Sequence, residues 1–185
     1  MHTYDCIVVG GGQSGLATSY YLRRQKLDFL ILDANSSPGG AWQHVWDSLT
    51  LFSDAHSSTL PGWPMPSYPG FPPASHVVDY LTRYEQRYDL PVRHGVAVER
   101  VLDDDPRFRL LTTHGEFRSR TVVAATGTWS APFIPFYPGE FQGRQWHTAS
   151  YPGPNPFLTS TSSGHTSRVA VVGAGNSGAQ IAAEL

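Results

Sequence analysis

The sequence predicts an α/β fold, and three observations lead to that prediction. An apolar strand-like run, a glycine-rich turn and a helical stretch follow one another in residues 4–33. The same run and turn recur in residues 169–179, and short alternating strands lie between the two copies. A strand, a turn and a helix in this order are typical of doubly wound sheets. We therefore expect a Rossmann-like domain with an inserted β-meander, followed by the start of a second domain of the same kind.

The first turn, residues 10–15 (GGGQSG), has glycine where a dinucleotide-binding turn needs it. Gly10 permits the tight turn, Gly12 lets a pyrophosphate approach the backbone, and Gly15 lets the helix pack close to the strand. The helix that begins near Ser14 directs free N–H groups and the positive end of its dipole at the phosphates. The predicted cofactor contacts of this turn are Gly10, Gly12, Gln13, Ser14 and Gly15.

A carboxylate follows the second apolar strand, since Asp33 lies 23 residues after Gly10. At that place it can accept hydrogen bonds from the ribose hydroxyls of an adenosine, and it would repel a 2′-phosphate. The site therefore fits NAD or FAD and excludes NADP. A glycine-rich turn that binds nothing is the alternative, and the strand, the helix and the acid around this turn argue against it.

Three further stretches are predicted to approach the same cofactor. The loop at residues 39–42 (GGAW) has paired glycines that allow close backbone approach; an ordinary turn before a buried tryptophan is the alternative. The apolar strand at 122–125 ends in Thr126-Gly127, which lie beside the cofactor if that strand returns to the sheet; a strand-terminating turn explains the local sequence equally well. Backbone near Val98 could meet the adenine. The predicted contacts here are Gly40, Ala41, Trp42, Val98, Thr126 and Gly127.

The composition indicates a small-molecule partner. The chain of 185 residues has 13 Lys and Arg against 15 Asp and Glu, so no charge excess favours nucleic acid or an anionic membrane surface. No apolar run approaches the roughly 20 residues of a membrane span, and the chain enters a strand without a signal segment, so we expect a cytoplasmic protein. The single cysteine, Cys6, is expected to be a small buried apolar residue. We predict no metal site.

The middle of the chain is predicted to support this site. Residues 59–73, rich in proline and aromatic residues, should form an ordered surface excursion that covers the core, with a pocket lining as the alternative. Residues 75–88 read as a helix with one apolar stripe. Three short strands are expected at 96–102, 108–113 and 116–123, with a turn at 103–106 between the first two.

The second turn, residues 173–178 (GAGNSG), follows a polar segment at 159–167 that reads as an interdomain linker. Two such turns in one chain allow one nucleotide to pass electrons to the other. Only seven residues follow Gly178, too few for a βαβ unit, so we expect a chain cut inside its second domain. The predicted domains are 1–158 for FAD and 168–185 for the start of an NAD(P)H unit, with nucleotide contacts from Gly173, Gly175, Asn176, Ser177 and Gly178.

The chain resembles the flavin-containing monooxygenases, class B flavoproteins that use FAD and NADPH, over essentially its whole length. The resemblance rests on the two turns, Asp33, the loop at 39–42, the strand end at 125–127, and residues 141–151 (FQGRQWHTASY). The last stretch is similar to the family signature FxGxxxHxxx followed by an aromatic residue. The resemblance implies that four residues couple nicotinamide binding to domain position: Phe141, Gly143, His147 and Tyr151. It also makes His147 and Tyr151 candidate catalytic residues.

Within this family, the opening and residues 42–66 look most like the ArsO-type flavoproteins linked to arsenic resistance. One difference concerns residues 49–53 (LTLFS), which contain no asparagine where eukaryotic members place one near the flavin. Stabilisation of a peroxyflavin by such an amide is therefore not expected here.

The resemblance implies a monooxygenase reaction. NADPH, or alternatively NADH, reduces FAD; the reduced flavin captures dioxygen as a hydroperoxyflavin, whose distal oxygen passes to a soft nucleophile such as sulfur, nitrogen or trivalent arsenic. A disulfide reductase shares the two-turn plan but needs a redox cysteine pair beside the flavin, which the lone Cys6 does not supply. A flavin or NAD(P)H oxidase and a non-catalytic nucleotide-binding module remain as alternatives.

Overall fold

The computed structural model describes residues 2–158 and 168–185 and centres on one six-stranded sheet. Its elements are the strands β1 (Thr3–Val9), β2 (Phe29–Leu32), β3 (Val92–Arg93), β4 (Val98–Asp104), β5 (Arg107–Thr112) and β6 (Gly115–Ala124), with the helices α1 (Gln13–Arg24), α2 (Ala74–Arg87), α3 (Asn155–Leu158) and α4 (Asn176–Glu184).

The strand order is β3-β2-β1-β6-β5-β4. The first four strands in that order run parallel, and β4, β5 and β6 pair antiparallel. The predicted Rossmann-like α/β fold with a meander is confirmed. The third strand of the meander and the apolar strand predicted to return to the sheet are one element, β6, which belongs to both halves.

Strand β1 is buried on both faces, as parallel strands usually are. Cys6 and Val8 face the apolar cluster under α1 and α2, whereas Ile7 faces the cluster around Leu110. The prediction for Cys6 is confirmed: it is a free, buried thiol, and burial raises its pKa. A raised pKa keeps the thiol protonated, so Cys6 acts as an apolar side chain.

The predicted strand at 96–102 is shifted in the structure, because β4 spans Val98–Asp104. Val96 instead donates its N–H to the carbonyl of Asp33 at 2.8 Å, which ties the chain to the end of β2 before β4 begins. Asp104 pairs with Arg107, so the predicted four-residue turn at 103–106 is shorter and contains only residues 105 and 106. The two-residue strand β3 was not predicted, since two residues show no periodicity.

The helix predicted at 75–88 is confirmed as α2, with its stripe turned to the core. Residues 59–73 cover the core, as predicted, since Leu60 and Met65 are buried in the same apolar cluster as Tyr80 and Tyr84 of that helix. The Tyr80 hydroxyl accepts from the Leu60 N–H and donates to the Trp63 carbonyl, both at 2.7 Å. The Tyr84 hydroxyl donates to the Pro61 carbonyl at 2.6 Å, and burial raises the pKa of both phenols.

Replacing Tyr80 by phenylalanine should therefore destabilise the protein. The change leaves the Leu60 N–H buried without its acceptor, and we expect a loss of about 2 kcal/mol in the free energy of unfolding. Urea denaturation measures this loss. Tyr21→Phe is the control, because Tyr21 is 54% exposed; equal stabilities of the two variants would contradict the prediction.

The second unit has its helix but no strand. Residues 169–172 pair with no strand within the described part of the chain, and Val172 is 76% exposed. The strand predicted there is therefore not formed, because a strand needs a hydrogen-bonding partner. The predicted linker at 159–167 lies outside the described residues. Among residues 2–158 and 168–185, no helix has both the length and the apolar character that a membrane crossing would need.

Candidate functional site

The carboxyl ends of three parallel strands meet at one edge of the sheet. Val9 of β1 pairs with Leu32 of β2 on one side and with Ala124 of β6 on the other. The chain leaves β1 toward α1 and β2, and it returns on the opposite side of β1 as β6. Open α/β sheets bind ligands in the crevice at such a switch point. The first glycine turn, Asp33 and residues 125–127 all follow these strand ends.

The first turn is packed so closely that two of its positions admit only glycine. Gly10 has φ +108°, and an added Cβ there would lie under 3.0 Å from the Ala125 carbonyl oxygen. A Cβ on Gly15 would overlap the Gly10 carbonyl oxygen in the same way. The positive φ of Gly10 fits the tight turn predicted for it, and the contacts of Gly15 with Gly10 and Val8 fit a helix packed close to β1. The closeness of Gly10 to Ala125, after β6, was not predicted.

Gly12 is different, because its position has room. An added Cβ would meet only Gly40 Cα at 3.8 Å, an ordinary contact, and the residue lies outside the left-handed region. Gly12 is the residue before α1, so this open backbone borders the free N–H groups of the helix. The packing of the protein alone does not require glycine there, and this fits a backbone kept bare for a ligand.

The loop at 39–42 lies against this turn. Gly40 has φ +55°, and its own Cβ would come within 2.8 Å of Gly12 Cα. Ala41 is exposed, whereas Trp42 is half-buried and packs between two apolar clusters. The loop therefore borders the predicted phosphate site, and the cofactor contacts of Gly40, Ala41 and Trp42 stay predictions.

Asp33 is 3% exposed and lies beside the first turn. One carboxylate oxygen accepts a short hydrogen bond from the Gly11 N–H, and the other accepts from the Asn35 N–H at 2.6 Å. Each oxygen has a second lone pair that a ribose hydroxyl could use. The carboxylate thus holds the turn against the end of β2, a role that the sequence did not reveal, and its ribose contact stays a prediction.

The strand end predicted near the cofactor does return to the sheet. The Ala125 N–H donates to the Val9 carbonyl at 2.8 Å, and Thr126 and Gly127 follow as exposed residues. Apart from its two chain neighbours, no heavy atom of residues 2–158 or 168–185 lies within 4 Å of a Cβ built on Gly127. Gln13 and Ser14 are exposed in the first turn of α1, and Val98 stands at the start of β4.

The second turn repeats the geometry of the first. Gly173 has φ +125°, and a Cβ on Gly178 would lie 2.5 Å from the Gly173 carbonyl oxygen. In the first turn, a Cβ on Gly15 would overlap the Gly10 carbonyl oxygen in the same way. Helix α4 begins after an extended Gly175, as α1 begins after an extended Gly12. The second turn thus offers a second helix N-terminus with exposed backbone N–H groups. The nucleotide contacts predicted for this turn stay predictions: Gly173, Gly175, Asn176, Ser177 and Gly178.

The two candidate catalytic residues, His147 and Tyr151, both make contacts that stabilise the fold. His147 Nδ1 accepts from the Ala149 N–H at 3.1 Å and caps the short helical turn at 148–150. Tyr151 is 9% exposed and packs edge-on against Trp46, with ring centroids 5.6 Å apart. It belongs to the α4 cluster, the buried group Trp46, Leu49, Tyr151 and Ile181. Tyr151 therefore lies where the second unit meets the first. The coupling and catalytic roles of His147 and Tyr151 stay predictions.

Burial, and after it the nearby Glu184 carboxylate, raises the pKa of Tyr151 to about 12 from 10. The folded state therefore favours the neutral phenol, and this contribution to stability is complete below pH 10 and is lost as the pH rises toward 12. We expect Tyr151→Phe to weaken that dependence, measured as the free energy of unfolding against pH. Parallel curves for the two proteins between pH 10 and 12 would contradict the prediction.

Contacts between α4 and the first unit were missed by the sequence reasoning. Gln180 and Glu184 of α4 bond to Thr50 and Ser48, which lie 130 and 136 positions earlier in the chain. No local pattern predicts such a pairing; only the spacing of Gln180 and Glu184 on one helix face was visible. Within the described residues no group of three or more His, Cys, Asp or Glu side chains could hold a metal ion.

The fold and the two glycine turns define a dinucleotide-binding protein of the Rossmann-like class. The sequence model of the pyridine nucleotide-disulphide oxidoreductase family matches residues 7–185, and the chain belongs to that family. A flavin monooxygenase variant from Stenotrophomonas maltophilia superposes with a TM-score of 0.91 and 48% identity, covering 100% of this chain and 54% of that one. The resemblance to flavin-containing monooxygenases is therefore confirmed.

Two curated relatives are similar to this chain over nearly all of its length. An uncharacterized CzcO-like oxidoreductase of Geobacillus kaustophilus is 36% identical over 100% of this chain and 52% of its own length. A probable indole-3-pyruvate monooxygenase of Arabidopsis thaliana is 31% identical over 97% of this chain and 44% of its own length. The chain spans about half the length of the curated relatives it matches. Flavin monooxygenases of this family use FAD and NADPH, which confirms the cofactor prediction at the level of the family.

Proposed function

We propose that this chain holds the FAD site and the opening of the NAD(P)H site of a flavin-dependent monooxygenase that oxygenates a soft nucleophile. One observation carries the proposal: two glycine turns of the same geometry open two helices, and the second helix is packed against the first unit. The identity of 48% to a flavin monooxygenase over the whole chain supports it. The proposed domains are 1–158 and 168–185.

The residues present fit FAD in the crevice at the strand ends. The bare backbone of Gly12 and the N-terminus of α1 would hold the pyrophosphate, since both offer N–H groups without a side chain in the way. Asp33 would hold the ribose through the lone pairs that its backbone bonds leave free. The turn at 173–178 would hold the pyrophosphate of NADPH by the same geometry.

When bound, FAD would supply the redox chemistry of hydride acceptance and dioxygen activation, and the chain would orient the cofactors and exclude water. Residues 125–127 and the loop at 39–42 border the first turn from two sides and would enclose the bound group. The chain has one cysteine, buried in β1, so it offers no cysteine pair for disulfide exchange with a flavin. This observation favours oxygen transfer over the disulfide chemistry in the family's description.

The test uses the protein at its full natural length. Its visible spectrum reports bound flavin, and NADPH oxidation under air is followed with thioethers, amines, trivalent arsenicals and indole-3-pyruvate, each beside NADH as the alternative donor. The last substrate is included because a relative is described as its monooxygenase. A yellow protein whose NADPH oxidation rises with one substrate, with oxygenated product and little hydrogen peroxide, establishes the activity and the substrate class.

Two other results would overturn the proposal. A yellow protein that turns all consumed NADPH into hydrogen peroxide with every substrate would be an oxidase. A colourless protein that oxidises no NADPH after incubation with FAD would be a nucleotide-binding module without this activity.

A further inference from the structure

Helix α4, which begins at the second glycine turn, is joined to the backbone of the first unit by the amide side chain of Gln180. Gln180 Oε1 accepts from the Thr50 N–H at 3.1 Å and from the Thr50 hydroxyl at 3.3 Å. Gln180 Nε2 donates to the Thr50 carbonyl at 3.1 Å. The amide therefore uses both of its ends on one residue and pairs with the Thr50 backbone as a neighbouring strand would.

Neighbouring side chains on the same face of α4 support this contact. Ile181 is 8% exposed and belongs to the α4 cluster. Glu184, one helical turn after Gln180, accepts from the Ser48 hydroxyl at 2.5 Å. Helix α4 thus contacts the first unit through two polar side chains, Gln180 and Glu184, which bond to Thr50 and Ser48. It also makes an apolar contact through Ile181, which packs in the α4 cluster.

Residues 50 and 51 are themselves tied to the first cofactor turn through α2. The Leu51 N–H donates to the Pro72 carbonyl at 2.8 Å, and Thr50 forms an antiparallel bridge with Pro73, the residue before α2. Farther along α2, Val78 lies against the loop at 39–42: a Cβ on Gly39 would meet its methyl groups at 3.1 and 3.2 Å. Gly40 of that loop touches Gly12.

We propose that Gln180 is a positioning residue, which fixes the second nucleotide turn relative to the first through Thr50. The inference rests on the proposed function and adds to it the residue that sets the separation of the two cofactors. Hydride transfer depends steeply on the distance between donor and acceptor, because a misplacement of about 1 Å can cost on the order of 100-fold in rate. The glycine turns bind the nucleotides, and Gln180 determines where one lies relative to the other.

The experiment measures flavin reduction in the full-length protein by stopped-flow spectroscopy without oxygen. For Gln180→Ala we expect the limiting rate at saturating NADPH to fall about tenfold, with less than about a twofold change in the NADPH dissociation constant and unchanged FAD content. Gln180→Glu is the conservative variant: it keeps the acceptor for the Thr50 N–H but sets a carboxylate oxygen against the Thr50 carbonyl. We expect it to be slow at neutral pH and to recover as acid protonates the carboxylate.

A second measurement does not depend on activity. Hydrogen exchange at the Thr50 amide of the protein without nucleotide should be faster in Gln180→Ala than in the wild type, since the variant removes its acceptor. Gln86→Ala, on the exposed side of α2, is the matched control and should leave both the reduction rate and the exchange unchanged.

The outcomes separate this inference from the proposed function. A yellow wild type that NADPH reduces at the same rate as Gln180→Ala overturns the inference and leaves the proposed function standing. The inference is also overturned if flavin reduction in Gln180→Ala is slower only because NADPH binds more weakly or because FAD is lost. Positioning should instead lower the limiting rate at saturating NADPH. A wild type that binds no FAD ends the proposed function, and the inference with it.

Discussion

Gly15→Ala is expected to destabilise the protein by about 3 kcal/mol or more and to abolish FAD binding. The added Cβ would overlap the Gly10 carbonyl oxygen, and neither atom can turn aside, because the position of the Cβ is fixed by the Gly15 backbone and the oxygen belongs to the Gly10 backbone. The overlap must push α1 away from the first turn, which is a severe case of overpacking. Denaturation by urea and flavin content after purification measure the two effects.

Gly12→Ala is the matched control, because Gly12 lies three residues before Gly15 in the same turn. Its Cβ would meet Gly40 Cα at 3.8 Å and its φ is −79°, so the free energy of unfolding should change by no more than about 0.5 kcal/mol. FAD binding should still weaken, since the methyl group occupies the place proposed for the pyrophosphate. Full FAD affinity in Gly12→Ala would contradict the placement of the phosphates, and a stable Gly15→Ala would contradict the packing.

Asp33→Asn is expected to cost about 2 to 3 kcal/mol in the free energy of unfolding and to lower FAD affinity. The carboxylate accepts from two backbone N–H groups, of Gly11 and Asn35, at a site that is 3% exposed. An amide has only one acceptor oxygen, so one of these donors would face an NH2 group and remain unsatisfied in the interior.

Thermal and urea unfolding of Asp33→Asn, with flavin titration beside them, check this prediction. Asp79→Asn is the control because Asp79 pairs with Arg83 on the surface at 3.1 Å, where ion pairs contribute little. A stability equal to that of the control would show that the Asp33 carboxylate does not hold the turn.

The fold could be predicted from the sequence because most of its elements have a recognisable local pattern of glycine or apolar residues. The glycine spacing predicts a tight turn before a helix, and the contacts of Gly10 and Gly15 show why larger residues do not fit in the first turn. The apolar stripe of α2 gave its position to within one residue at each end. Strand β4 begins two residues later than predicted. Val96 is apolar like a strand residue, but its N–H donates to the Asp33 carbonyl.

The connection between the two units could not be predicted, and the reason is distance along the chain. Thr50 and Gln180 are 130 positions apart, and neither residue type is unusual in its own surroundings. The second bonding role of Asp33 was hidden for a related reason: an acid after a strand predicts a ribose contact, whereas its backbone partners depend on how the turn folds over it. Interactions of this kind are defined by tertiary structure alone.

Strand β6 has a consequence for synthesis on the ribosome. It supplies the partner for one side of β1, yet it begins at Gly115, long after β1 ends at Val9. At about 5–20 residues per second, that side of β1 stays unpaired in the nascent chain for roughly 5–20 s. An unpaired apolar strand edge is prone to aggregate, so we expect nascent chains that end before Gly115 to depend on chaperone protection.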